Sequence, residues 1–135
     1  MNAVSVEVEV EVNPTENLEK VKLAVENVFG VVRFEVRERK QGGGTLLAYA
    51  SGNEGLTKLY NLLRREHIRD AARKVLFRGL EGNTITFYLN KQVAYAGHLS
   101  FSEPEGESPL GPLKVTMTSD SPKELIDWLA PRTTI

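Results

Sequence analysis

Val4-Ser5-Val6-Glu7-Val8-Glu9-Val10-Glu11-Val12 alternates apolar and polar residues without a break. Successive side chains of a β-strand point to opposite faces, so the five valines share one face and Glu7, Glu9 and Glu11 the other. The stretch reads as a half-buried strand, valines toward a core and carboxylates toward water. Carboxylates two apart on one strand lie about 6.6 Å apart, too far for joint chelation by these groups alone. The acidic row therefore reads as a solvated face rather than a metal site.

The residues that follow supply what such a strand packs against. In Asn13-Pro14-Thr15-Glu16, Asn13 can cap a helix, Pro14 fits its first position and Glu16 completes a box-like start. Leu18, Val21, Ala24, Val25 and Val28 then recur at helical spacing, and Gly30 can close the helix. Val32, Phe34 and Val36 alternate with Arg33, Glu35, Arg37 and Arg39 in a second strand. If that strand pairs with the first, its arginines meet Glu7, Glu9 and Glu11 and help to fix register. The run Gln41-Gly42-Gly43-Gly44-Thr45 lacks phosphate-loop spacing and reads as a hairpin connection, followed by a strand through Ser51.

The segment Leu56 to Gly82 holds the densest basic cluster of the chain. Seven of the chain's 17 Lys and Arg residues fall between Leu56 and Gly79: Lys58, Arg64, Arg65, Arg69, Arg73, Lys74 and Arg78. Only Glu66 and Asp70 oppose them, so this segment carries +5 in a chain whose net charge is −1. At 100° per residue, Leu56, Leu59, Tyr60 and Leu63 cluster on one side, while Ile68, Ala71, Ala72 and Val75 cluster about 100° further round. That drift predicts a kink or two successive helices near Arg64–His67. Lys58, Arg65, Arg69 and Arg73 stay within about 80° of one another on a continuous wheel, interrupted by Leu62 and Leu76. The plain alternative is the wet side of an amphipathic helix.

Beyond it, Ile85, Phe87 and Leu89 alternate with Thr84, Thr86 and Tyr88 in a strand. Asn90-Lys91-Gln92 reads as a polar turn into a further strand holding Tyr95, His98 and Phe101. Ser102–Pro112, with three prolines and two glycines, is a long loop, either a binding loop or a passive crossover. Leu113, Val115 and Met117 mark the next strand. Ser121-Pro122-Lys123-Glu124 then repeats the cap-and-proline grammar of Asn13, opening a helix that runs through Trp128.

Composition excludes several function classes. With 135 residues, 41% hydrophobic and 26% charged, the chain is ordinary for one globular domain, 1–135. It has no cysteine and two histidines, His67 and His98, so thiolate chemistry and histidine pairs at ligand spacing are absent. No nucleophile elbow or paired carboxylates stand out, so no catalytic residue, metal or cofactor is expected. No run approaches the roughly 18 apolar residues of a membrane span, and a cytoplasmic setting is expected.

Four stretches are recognisable together: Ile68-Arg69-Asp70-Ala71-Ala72-Arg73, Gly82 to Gln92, Glu107-Ser108-Pro109-Leu110-Gly111-Pro112, and Asp127-Trp128-Leu129-Ala130-Pro131-Arg132-Thr133. With them the sequence resembles a family of small archaeal proteins of unassigned function, catalogued under RNA binding. The resemblance implies a fold similar to the ribosomal protein that binds five-S RNA, with helices against one face of a mixed sheet.

The expectation is a single α+β domain, a twisted and largely antiparallel sheet with helices on one face. Its expected function is RNA binding without catalysis. Lys58, Arg65, Arg69 and Arg73 are the phosphate contacts, and Arg64, Lys74, Arg78 and Lys91 widen the patch. Asn83, Asn90 and Gln92 are candidates for base edges or 2′-hydroxyls. The alternative is a protein-interaction or homodimer module, built on edge pairing of the valine strand or on Leu62 and Leu76.

Overall fold

In the computed structural model, which describes residues 4–30, 32–103 and 111–132, the valine stretch is β1 (Val4–Val12), with strict alternation of buried and exposed residues. Around it the chain forms α1 (Leu18–Val28), β2 (Arg33–Glu38), β3 (Gly44–Ser51), α2 (Gly52–Arg65) and α3 (Arg69–Arg78). Then follow β4 (Leu80–Glu81), β5 (Thr84–Asn90), α4 (Lys91–Tyr95), β6 (Pro112–Ser119) and α5 (Pro122–Leu129). The loop reading of 104–110 lies outside the described residues.

The six strands form one sheet in the order β2-β3-β1-β6-β5-β4, with every pairing antiparallel. The expected α+β class holds: one domain, one open antiparallel sheet, helices on one face. β1 lies in the interior of the sheet, Val8 opposite Ala48 of β3 on one side and Val115 of β6 on the other. Its five valines are 0–7% exposed and join Leu46, Ile85, Phe87, Leu113, Val115 and Met117 in the core. Each such burial contributes on the order of 1.5–3 kcal/mol.

Register corrects the expected pairing of β1 with the arginine strand. β3 stands between them, because a tight hairpin through Gly42 and Gly43, both at positive φ, folds β3 back on β2. Glu7, Glu9 and Glu11 instead face Tyr49, Leu47 and Thr45 on one side. Arg39 alone reaches across, meeting Glu11 at 2.6 Å. Arg33 lies 4.6 Å from the Tyr49 ring centre, and Arg37 sits 3.7 Å from Glu35.

Two local readings also change. Helix α1 begins four residues later than the capping box implied: Asn17 is its N-cap, its Oδ1 accepting from Glu19 N–H at 2.8 Å. Glu16 folds back within a turn and accepts from Asn13 N–H at 2.9 Å. Further on, the expected strand after Asn90 is the short helix α4, with Asn90 as N-cap accepting from Val93 N–H.

Candidate nucleic-acid interface

The basic segment is two helices, as the drifting stripe predicts. The break falls at Glu66–Ile68, where His67 adopts a left-handed φ of 56°. It turns the buried arc by about a third of a turn: α2 buries Leu56, Leu59, Leu62 and Leu63, while α3 buries Ala72 and Leu76. Leu62 and Leu76 are therefore core residues, 5% and 1% exposed, and offer no partner surface. Because the wheel is not continuous, Lys58, Arg65, Arg69 and Arg73 do not share one face.

Their contacts show where each cation goes. Arg64 donates to the carbonyls of Trp128 and Leu129 at 3.3 Å, and its guanidinium lies 3.4 Å from the Tyr60 ring centre. Tyr60 stacks on Trp128 at 4.7 Å. Arg73 meets Asp127 at 2.7 Å and the Ala130 carbonyl at 3.1 Å. On the other flank, Lys58 donates to Glu26 O at 2.6 Å and Arg65 to Gly97 O at 2.7 Å. These carbonyls belong to the last turn of α1, the exit of α4 and the end of α5. None of those helices has a basic residue in its own last turn. Helix C-termini carry unsatisfied carbonyls and partial negative charge, and α2 and α3 supply the missing cations. Much of the +5 is thus capping charge.

What remains on the solvent side is narrower. Lys74 and Arg78 are exposed on α3, Arg69 is half-buried, and none has a side-chain hydrogen bond or ion pair among the described residues. Lys74 and Arg78 are four apart and so lie side by side. Lys58 and Arg65, each spending one bond on a backbone carbonyl, also line a groove of about 480 Å³ with Asn27, Asn61, Leu62 and Gly97. An arginine has five N–H donors, so Arg65 keeps capacity for an oxyanion.

The other expected contacts are not brought together. Lys91 is fully buried, its ammonium 3.1 Å from Glu16 and 2.7 Å from the Glu11 carbonyl, so it leaves the surface patch. Asn90 is committed to capping α4. Asn83 lies at the opposite end of β5, about 23 Å away for seven strand residues. Gln92 is exposed on α4.

Two tyrosines and one carboxylate complete the surroundings. Tyr95 donates to Glu16 at 3.2 Å, and burial with the Glu16 charge pushes its hydroxyl up to about 12. Tyr88 stands on the helix-free sheet face opposite Lys114. Glu66, in the interhelix break, holds His98 Nδ1 at 2.8 Å and the Leu99 N–H at 3.2 Å. The His98 bond first, and then these neighbours, lower the Glu66 carboxyl against its burial. Among the described residues no cluster of three His, Asp or Glu forms a metal site, and no helix is long and apolar enough to cross a membrane.

Spacing on an unbroken wheel did not single out Phe77. Once α3 is phased on its own buried residues, Phe77 falls on the solvent face with Lys74, at 37% exposure.

Fold and site together define an open-faced α+β domain with Lys74 and Arg78 exposed on α3. The chain belongs to the RNA-binding family, whose model matches residues 5–118 under the description "RNA binding". Its relatives are archaeal UPF0201 proteins. One from Sulfurisphaera tokodaii is 47% identical over 93% of this chain and 86% of its own length. One from Pyrobaculum aerophilum is 48% identical over 95% and 90%. The crystal structure of a UPF0201 protein from Methanococcus jannaschii superimposes with a TM-score of 0.86 at 34% identity, covering 96% of this chain and 95% of the other.

Proposed function

We propose that the protein binds RNA without catalysing a reaction, and that the solvent side of α2 and α3 holds the phosphates. The observation that carries the reading is the pair Lys74 and Arg78, unpaired and adjacent on α3 of a chain in an RNA-binding family. Arg69 extends that pair, and Lys58 with Arg65 forms a second cationic edge along the α2 groove. Arg64 and Arg73 hold the end of α5 and contribute field rather than direct contact. Asn83 and Gln92 are outlying contacts for bases or 2′-hydroxyls. The likeness of fold to the ribosomal protein that binds five-S RNA and a cytoplasmic setting belong to the same reading.

On a single strand, removing the cation that meets one phosphate lowers the slope of log affinity against log salt by roughly 0.7. Filter binding across a salt series is therefore the test. Lys74→Ala with Arg78→Ala is expected to lower the slope by about 1.4, and Arg65→Ala to lower it further. An unchanged slope in the triple variant ends the proposal. The homodimer alternative loses its proposed strand, since β1 is interior; the sheet edges are the two-residue β4 and the longer β2, where Arg33, Glu35 and Arg37 are the kind of charges that block edge pairing.

A further inference from the structure

Phe77 is one of two large hydrophobic residues exposed among the described residues, the other being Leu23 on α1 at 53%. Single apolar residues on a surface are commonplace, and Leu23 needs no further account. Phe77 differs in its setting. Lys74 precedes it by three residues and Arg78 follows it directly, both exposed and unpaired. The Arg73 guanidinium lies over its ring, 4.9 Å from the centre. That guanidinium is itself fixed, by Asp127 at 2.7 Å and by the Ala130 carbonyl at 3.1 Å. The ring is thus flanked on one side by an immobilised cation and on the other by the adjacent unpaired pair, Lys74 and Arg78.

We propose that Phe77 is a stacking platform for an unpaired nucleobase, with Lys74 and Arg78 on the flanking phosphates, so that α3 takes single-stranded rather than duplex RNA. The inference rests on the RNA reading and adds the form of RNA. Bases in a duplex are already stacked on one another and offer no free face, whereas an unpaired base can lie on an aromatic ring whatever its identity. Charge favours the same occupant. Asp127 offsets Arg73, Asp70 is the acid on this side of α3, and Lys74 and Arg78 leave the surroundings of the ring cationic. Order helps as well: because Arg73 is already held in place, little side-chain freedom is lost when a base arrives.

The experiment measures anisotropy of a labelled, unstructured 12-nucleotide RNA and of the same sequence as a duplex, using the full chain and variants at Phe77. Phe77→Ala is expected to weaken single-strand binding roughly 5- to 100-fold, leaving duplex affinity and the salt slope unchanged. Phe77→Trp is expected to restore binding, and Phe77→Leu to fail. Exposure at this position keeps all three variants foldable, and circular dichroism checks it. Wild-type binding by Phe77→Leu, or equal weakening of both RNAs, overturns stacking while leaving the phosphate reading intact. If the Lys74 and Arg78 variants also change nothing, the RNA reading itself falls, and the stacking proposal with it. Concentration-dependent dimerisation that disappears in Phe77→Ala would assign the ring to a protein interface and overturn the proposal.

Discussion

A lysine 0% exposed is the residue whose environment departs furthest from its chemistry. Lys91 sits beside Glu16, itself 7% exposed, with the Glu11 carbonyl accepting a second bond. The trio ties the end of β1, the turn before α1 and the start of α4. Breaking a buried pair leaves one charge uncompensated, so Lys91→Met should cost about 3–5 kcal/mol in urea denaturation. Burial pushes the Glu16 carboxyl up, but the Asn13 N–H and Lys91 outweigh it and leave it below the ordinary 4.5. Its stabilisation is therefore complete above pH 4.5 and fades as pH falls further. Tyr95, raised to about 12, acts at the other end, its contribution present below pH 10 and lost between 10 and 12. A plateau between these limits is expected, and Glu16→Gln should flatten its acid limb. None of this was legible beforehand. In sequence Lys91 is one lysine in a polar tripeptide, and its partner lies 75 residues away. The basic residues divide in the same manner. Arg64→Ala should lower stability by about 0.5–2 kcal/mol through the α5 terminus and leave the salt slope alone. Lys74→Ala should do the reverse, staying within about 0.5 kcal/mol in stability.

Elements were legible where a period had room to repeat. Nine alternating residues define β1 without ambiguity, and the drift of apolar residues locates the α2–α3 break to within a residue or two. Helix α4 has five residues, too few to show a helical period, and its Val93 and Tyr95 favour strands on propensity. The α1 start was misplaced because Asn13 and Asn17 both suit a cap, and only the burial of Glu16 decides between them. The break itself rests on one unusual backbone position. His67 is the one non-glycine residue at positive φ among those described. His67→Gly relieves that conformation and should raise stability by up to about 1 kcal/mol, whereas His67→Val should lower it by at least as much. Gly79 ends α3 against β5, where an added Cβ would overlap the Thr86 carbonyl. Gly79→Ala should thus cost about 1–3 kcal/mol, read from the shift in denaturation midpoint.

At the scale of the whole molecule, strand order was beyond the reach of pattern. Alternation says which face of β1 is wet, but the interior place of β1 comes from partners 40 and more than 100 residues away in sequence. The fold class survives that ignorance because any antiparallel order buries the same valines. Amide exchange is the measurement that sees the order: Val6, Val8 and Val10, paired on both sides, should exchange only through global unfolding. Amides of β2, an edge strand, should exchange faster.

The sheet order also divides the chain in two. Residues before His67 supply β2-β3-β1, residues after it supply β6-β5-β4, and the halves meet along β1 and β6, with Val8 facing Val115 at the middle of the seam. One covalent crossing joins them, at the solvent-exposed His67 between α2 and α3. The molecule is in this sense a heterodimer that happens to be tethered. Severed at His67 and mixed, the two fragments carry complementary unsatisfied strands, and their spontaneous reassembly would turn the seam into a concentration-dependent, reversible joint.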